Sequence, residues 1–312
     1  MALYEVPFTS TNGRDEIQAW IYTPATTRPR GIVQLIHGLG EHSRRYLHLI
    51  AALLEHGYVV AADDHAGHGA TAMRSGIWQD AGEHGEQVVV EDEQRLREIV
   101  AERFPELPYI LFGHSWGSMI ARALSAAHPE GLAAAVYCGP VAHMLGLEDP
   151  ATQQAIDAAI AERGGEALDV DGLSALMFTG ANDRHEDGVP ATAWVALDEG
   201  VVADHAVDPF NNFGAPMTLR FAKSFCELYR RCNGPVWARS MPRNLPVLII
   251  AGDQDPVANY GEGAYALAND LWSAGLRDVR TRVWTGVRHE IHNEPTTDRK
   301  STRLNSSHVK LS

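Results

Sequence analysis

Residues 109–128, YILFGHSWGSMIARALSAAH, place the strongest constraint on how this 312-residue chain can fold. An apolar run from Tyr109 to Phe112 enters the pentapeptide Gly113-His114-Ser115-Trp116-Gly117, after which Met119, Ile120, Ala123, Leu124 and Ala127 recur at helical spacing. The segment reads as a buried strand that turns sharply into a helix, with one serine at the apex. Glycines two residues to either side suit such a turn, because strand and helix approach too closely there for side chains. In a chain with 28 glycines the pentapeptide alone is weak evidence, so its surroundings must decide.

Those surroundings alternate between strand and helix. Ile32 to Ile36, Tyr58 to Ala62 and Leu132 to Tyr137 read as further strands, with helices near 46–55 and 87–104 between them. Such alternation implies a mostly parallel, doubly wound sheet covered on both faces. Ahead of it, residues 3–9 and 17–22 read as an antiparallel hairpin around Asn12-Gly13. Beyond residue 138 the rhythm stops. LEDPATQQAIDAAIAERGG and TLRFAKSFCELYRRC are amphipathic pieces in an uneven, loop-rich stretch. Val247 to Ala251, Gly263 to Ala274 and Val279 to Trp284 then restore strand, helix and strand. The expected organisation is an α/β core from 1–138 and 243–298, with a helical cap, 139–242, inserted over the carboxyl ends of the strands. The tail 299–312 carries four basic residues, no acid and no apolar periodicity, and reads as non-native or disordered where a closing helix is expected.

Bulk properties narrow the function classes. A net charge of −14 repels phosphate backbones, so a nucleic-acid partner is not expected. The apolar runs fall short of a membrane span, and the start MALYEVPFTS lacks a basic segment followed by an apolar one, so a cytoplasmic location is expected. Cys138, Cys226 and Cys232 are odd in number and lack paired spacing, which points to reduced, structural thiols. His65 and His68, in DDHAGHGAT, lack the further carboxylate and cysteine partners of a metal site and read as part of a hydrogen-bonded turn. No metal or cofactor is expected.

The chemistry sits after the strands. A serine hydroxyl needs a histidine to take its proton, and the histidine needs a carboxylate to orient it and stabilise its cation. Ser115 is followed in the chain by Asp253 and Asp255 after one strand, then by His289 and His292 after the next. This is the order expected when each group tops a strand of such a sheet. Spacing alone does not choose between the two aspartates, and both histidines face one way if their segment turns helically. The loop His37-Gly38-Leu39-Gly40-Glu41-His42 offers the Leu39 amide, and the turn itself offers the Trp116 amide, as two donors to an oxyanion.

HGLGEHSRRY, DDHAGHGAT, GHSWGSM, AGDQDPVANYGEG and GVRHEIHNE, in that order, resemble the blocks of monoacylglycerol lipase and lysophospholipase-type α/β hydrolases, from about residue 15 to 295. The resemblance implies Ser115 as nucleophile, Asp255 as acid, His289 as base, and the Leu39 and Trp116 amides as oxyanion hole. It also implies that Glu41, Arg45 and His292 line a polar pocket for a glycerol-like head group. Trp116 departs from the methionine or leucine usual there, and its ring is expected to narrow or reshape the acyl pocket.

The expected activity is hydrolysis of a carboxylic ester through an acyl-enzyme, with a monoacylglycerol or lysophospholipid as substrate and a short-chain or aryl ester as the alternative. Leu173, Leu176, Met177, Phe178, Trp194, Phe210 and Phe213 are candidates for an acyl tunnel or for ordinary cap core. A lipid substrate also implies transient contact of the cap with a lipid surface. Ser115 disfavours the dehalogenase and epoxide-hydrolase chemistries, which need an aspartate at the turn. A non-catalytic binding protein on the same scaffold would usually lack one of the three groups.

Overall fold

The computed structural model describes residues 1–294 apart from 27, 186 and 187, so the tail 299–312 lies outside the described residues. At the amino terminus, β1 (Ala2–Glu5) and β2 (Phe8–Thr9) pair antiparallel with β3 (Glu16–Thr23), the hairpin expected around Asn12-Gly13. Asn12 Oδ1 accepts the Arg14 and Asp15 amides at 2.8 and 3.0 Å, which holds the turn closed.

From there the chain winds through β4 (Gly31–Ile36), α1 (Leu47–Glu55), β5 (Tyr58–Asp64), α2 (Gly69–Ser75) and α3 (Gly85–Arg103). It continues through β6 (Tyr109–His114), α4 (Trp116–Ala127) and β7 (Leu132–Cys138). After a long excursion come β8 (Val247–Gly252), α10 (Glu262–Ala274) and β9 (Val279–Trp284). Across the sheet the order is β1, β3, β5, β4, β6, β7, β8, β9, with β2 also on β3. Every pairing from β5 through β9 is parallel, while β3 joins β5 antiparallel.

Alternation along the strands explains the layers. Ile32 and Ile36 of β4, with Val59 and Ala61 of β5, belong to one apolar cluster that includes residues of α3 and α4. Leu35, Val60 and Ala62 point the other way, into a cluster with Ile50 and Leu54 of α1. All six residues of β4 are buried, as a strand covered on both faces requires.

The excursion between β7 and β8 contributes α5 (Leu145–Glu148), α6 (Pro150–Arg163), α7 (Glu199–Val207), α8 (Leu219–Arg231) and α9 (Gly234–Ser240). The two amphipathic sequence pieces supply α6 and α8, whereas α5, α7 and α9 escape a periodicity reading because they are short. Asp149 caps α6 by accepting the Ala151 amide at 2.9 Å, and Thr218 caps α8 through the Phe221 amide at 3.3 Å. Helices α8 and α9 pack back onto α3, α4 and α10, so this stretch is seated on the helical layer as well as reaching the site. Among the described residues, no helix is long and apolar enough to cross a membrane.

Candidate active site

The turn after β6 has the tight approach its glycines imply. A Cβ on Gly113 would lie 2.2 Å from the Gly117 carbonyl oxygen, and one on Gly117 would lie 2.2 Å from that of Ile36. Ser115 itself adopts φ 54° and ψ −122°, a conformation that side-chain-bearing residues rarely occupy. Its amide donates to the Cys138 carbonyl at 2.9 Å, which ties the turn to the end of β7.

Opposite stands the pair that spacing left unresolved. Asp255 is fully buried after β8; its Oδ1 accepts the Val257 amide at 2.9 Å and its Oδ2 lies 2.9 Å from Nδ1 of His289. Asp253 instead accepts the Gly286 amide at 2.7 Å and acts as a turn residue. Ser115 and His289 line one open cavity of about 430 Å³, part of it continuous with solvent. Ser115 Oγ makes no hydrogen bond to a described residue. Leu39, Glu41 and Gly38 line the same cavity, and neither the Leu39 nor the Trp116 amide donates to a described residue.

Glu41 holds the loop after β4 in shape. Its Oε1 accepts the Gly38 amide and the Tyr46 hydroxyl, both at 2.6 Å, and lies 3.2 Å from Nδ1 of His114. Burial opposes its charge, yet His114 and Arg45 hold its pKa well below the ordinary value. Burial likewise opposes charge on His114, but Glu41 and the His289 carbonyl, 3.3 Å from Nε2, raise its pKa. His114 therefore spans nucleophile turn, loop and histidine loop, with Glu41 and Tyr46 at Nδ1 and the His289 carbonyl at Nε2.

Arg45 and His292 do not line the cavity. Arg45 donates to both carboxylate oxygens of Glu290 at 2.9 and 3.0 Å and lies 3.4 Å from Glu41 and 3.3 Å from Asp204. The His292 ring stacks on Tyr46 at 4.4 Å. The Trp116 ring is also turned away: it is buried against His65, His68 and Phe221 at 4.9–5.5 Å, so it fills core beneath the turn instead of narrowing the pocket.

Of the seven apolar candidates in the excursion, Phe178, Trp194 and Phe213 line the cavity, whereas Met177 is core and Phe210 lies under the Arg44 guanidinium at 4.0 Å. Sequence reasoning missed His205, Glu290, Met144 and Phe225 among the lining residues. Only Glu290 carried a signal, standing directly after His289.

The DDHAGHGAT block forms the expected turn: Asp64 accepts from the Ser43 amide and hydroxyl, Arg44 and the Ala70 amide at 2.7–2.9 Å. His37 stacks on His65 at 3.8 Å, and burial lowers its pKa to about 4, leaving it neutral. One expectation needs correction, because the fold does supply carboxylates to His65. Asp63 and Glu93 lie 3.4 and 3.2 Å from its Nδ1. Glu93 arrives from α3, far away in sequence, which is why spacing could not reveal it. Burial and the neighbouring Asp63 push the Glu93 carboxyl well above the usual range.

A family model described as serine aminopeptidase, S33 (Hydrolase_4), matches residues 27–296. The chain belongs to this family of hydrolases. It is 30% identical over 289 residues to a monoacylglycerol lipase of Mycolicibacterium smegmatis, covering 88% of this chain and 86% of that one. Among solved structures, it superposes on a lipase in an open form with a TM-score of 0.91 and 46% identity, covering 97% of each chain. A thermostable carboxyl esterase from Bacillus coagulans, solved in complex with glycerol, gives a TM-score of 0.91 and 44% identity over 97% of this chain and 96% of that one. The fold is that of the α/β hydrolases, and the chain is a hydrolase of carboxylic esters.

Proposed function

We propose that this hydrolase cleaves monoacylglycerols through an acyl-enzyme on Ser115. The observation that carries the reading is the buried Asp255–His289 pair, 2.9 Å apart, whose histidine lines the same cavity as a serine in a strained turn. With Nδ1 engaged by Asp255, His289 keeps its Nε2 lone pair for the serine proton. The Ser115 Oγ–H bond breaks towards Nε2 as Oγ bonds to the ester carbonyl carbon. The oxyanion is received by the Leu39 and Trp116 amides. Collapse expels the alcohol, which takes the proton back from His289, and water repeats the sequence to release the acid. On this reading the Ser115–His289 hydrogen bond forms in the substrate complex, since catalytic contacts are often long before substrate binds.

Support for a lipid-like substrate comes from the cavity wall, where Met144, Phe178, Phe213 and Phe225 provide an apolar stretch for an acyl chain. The excursion is read as a cap whose exposed Leu145, Val170 and Val207 offer a transient contact with a lipid surface. Three free, buried cysteines fit a reducing, cytoplasmic setting. A fluorophosphonate probe should label the wild type and leave Ser115→Ala unlabelled. An acyl-length series of monoacylglycerols and p-nitrophenyl esters should peak in kcat/KM at long chains; a peak at acetate would replace the lipid reading with a short-chain esterase.

A further inference from the structure

The loop after β4 brings two consecutive peptide groups, His37–Gly38 and Gly38–Leu39, against the nucleophile turn. A Cβ on Gly38 would lie 3.1 Å from Cβ of Ser115, and Gly38, Leu39 and Ser115 line one cavity. In the first group the Gly38 amide donates to Glu41 Oε1 at 2.6 Å, and the His37 carbonyl oxygen lies 3.3 Å from Nε2 of His65. In the second the Gly38 carbonyl oxygen lies 2.8 Å from Nδ1 of His37. Of the four polar groups, the Leu39 amide alone has no partner among the described residues.

The backbone sets which nitrogen of His37 carries the proton. The His65 amide donates to His37 Nε2 at 3.1 Å, and a backbone N–H can only donate. Nε2 is therefore the acceptor of a neutral ring, its proton sits on Nδ1, and Nδ1–H donates to the Gly38 carbonyl. The His65 ring stacks on that of His37 at 3.8 Å and is itself held at Nδ1 between Asp63 and Glu93, 3.4 and 3.2 Å away. Edge-on to His65, at 5.3 Å, lies the ring of Trp116, whose amide is the other oxyanion donor. His37 is fully buried and does not line the cavity, so its action on the reaction passes through the loop.

We infer that His37 is a positioning residue for the oxyanion hole: by holding the Gly38 carbonyl, its Nδ1–H aims the Leu39 N–H at the oxyanion. The inference rests on the acyl-enzyme reading above, with Leu39 as a donor. A trans peptide group is planar and its C=O and N–H point in opposite directions, so fixing the oxygen fixes the hydrogen. A donor held in place beforehand needs no reorganisation as charge develops on the ester oxygen. Hydrogen bonds in series also polarise one another: as the oxyanion draws on the Leu39 N–H, the Gly38 oxygen gains negative charge, which the His37 Nδ1–H meets. His37 gives up no proton in this role.

Two variants separate the two nitrogens, with rates counted per fluorophosphonate-titrated site. His37→Gln retains an acceptor near the Nε2 position and lacks the donor at Nδ1, whereas His37→Asn retains the donor and lacks the acceptor. For a p-nitrophenyl ester, His37→Gln should lower kcat about 100-fold, the scale of losing one oxyanion donor, with KM within about threefold. His37→Asn should stay within about tenfold of wild type. Affinity for an alkyl trifluoromethyl ketone, which Ser115 converts to an oxyanion, should fall with kcat in His37→Gln, while affinity for the corresponding alcohol, which forms none, should not. A further measurement needs no variant: NMR of wild type labelled with nitrogen-15 histidine should show His37 neutral with its proton on Nδ1. A proton on Nε2, wild-type kcat in His37→Gln, equal losses in the two variants, or a loss confined to KM overturns the positioning role while ester cleavage stands. Should neither variant fold, the position of the proton decides alone. A wild type that neither cleaves esters nor takes the fluorophosphonate refutes the acyl-enzyme reading, and this inference with it.

Discussion

Replacing Asp255 with asparagine isolates the role of one hydrogen bond. The Val257 amide donates to Oδ1 at 2.9 Å, so the asparagine must keep its oxygen there and turn its NH2 towards His289. Nδ1 of His289, now 2.9 Å from a donor, must become an acceptor. Its proton moves to Nε2, where it points at Ser115 and leaves no lone pair to receive the hydroxyl proton. The wrong tautomer and the lost stabilisation of the cation together lower kcat by about 10⁴-fold in serine hydrolases of this logic, or about 5 kcal/mol of barrier. The side chain stays the same size and remains paired, so thermal stability should shift by only a few degrees.

Steady-state turnover of a p-nitrophenyl ester, with calorimetry to confirm folding, measures both quantities. Asp253→Asn is the matched control. That side chain accepts the Gly286 amide at 2.7 Å, which an amide oxygen can also do, and activity should stay within about threefold. Retention of more than about 1% activity by Asp255→Asn, or a larger loss at residue 253, would refute the assignment.

Three further outcomes follow from the geometry. Ser115→Ala should lose ester turnover, and Ser115→Gly should in addition stabilise the fold by about 1 kcal/mol or more by relieving the φ 54°, ψ −122° backbone; an unchanged melting temperature for the glycine variant would show that no strain is stored. Gly117→Ala, which brings a Cβ to 2.2 Å from the Ile36 carbonyl, should cost about 3 kcal/mol in urea unfolding, against near neutrality if the turn relaxes freely. Asp92 is pushed up to about 6 by burial, from an unfolded value of 3.8, so the folded state holds a proton that the unfolded state releases. Its contribution is full below about pH 4 and is lost as pH rises to about 6, roughly 3 kcal/mol in total. Urea titrations at intervals from pH 4 to 7 should show wild type losing stability relative to Asp92→Asn; parallel pH profiles would contradict the linkage.

The strands and the turn were legible because each rests on local pattern. Ile32 to Ile36 is apolar throughout because both faces are covered, and Gly113 and Gly117 mark contacts made within one strand–turn–helix unit. The choice of Asp255 over Asp253 was not legible from spacing. It depends on which carboxylate the loop buries beneath β8 and β9, a tertiary outcome. Trp116 misled for a related reason: adjacency to Ser115 in sequence says nothing about its side chain, which the helix start directs into His65, His68 and Phe221. His205 and Phe225 reach the cavity from the excursion, whose short helices and long loops carry little periodicity.

Arg45 shows why the chemistry could be read more easily than the specificity. Ser115, Asp255 and His289 are set by the ends of β6, β8 and β9, which the sheet fixes whatever fills the excursion. Arg45 instead joins three pieces that no sheet register relates: Glu41 in the loop after β4, Glu290 beside the histidine, and Asp204 on α7. The histidine loop is tied to the excursion from the other side as well, where the Glu290 amide donates to the Val195 carbonyl at 2.8 Å and Arg288 donates to the Ala196 carbonyl at 3.0 Å. Any shift of α7 is therefore felt at Glu290, through the same guanidinium that fixes its charge. Ser115, Asp255 and His289 thus follow strands whose register the sequence pattern reveals, whereas the Arg45 ion pairs depend on how the excursion meets the loops after β4 and β9.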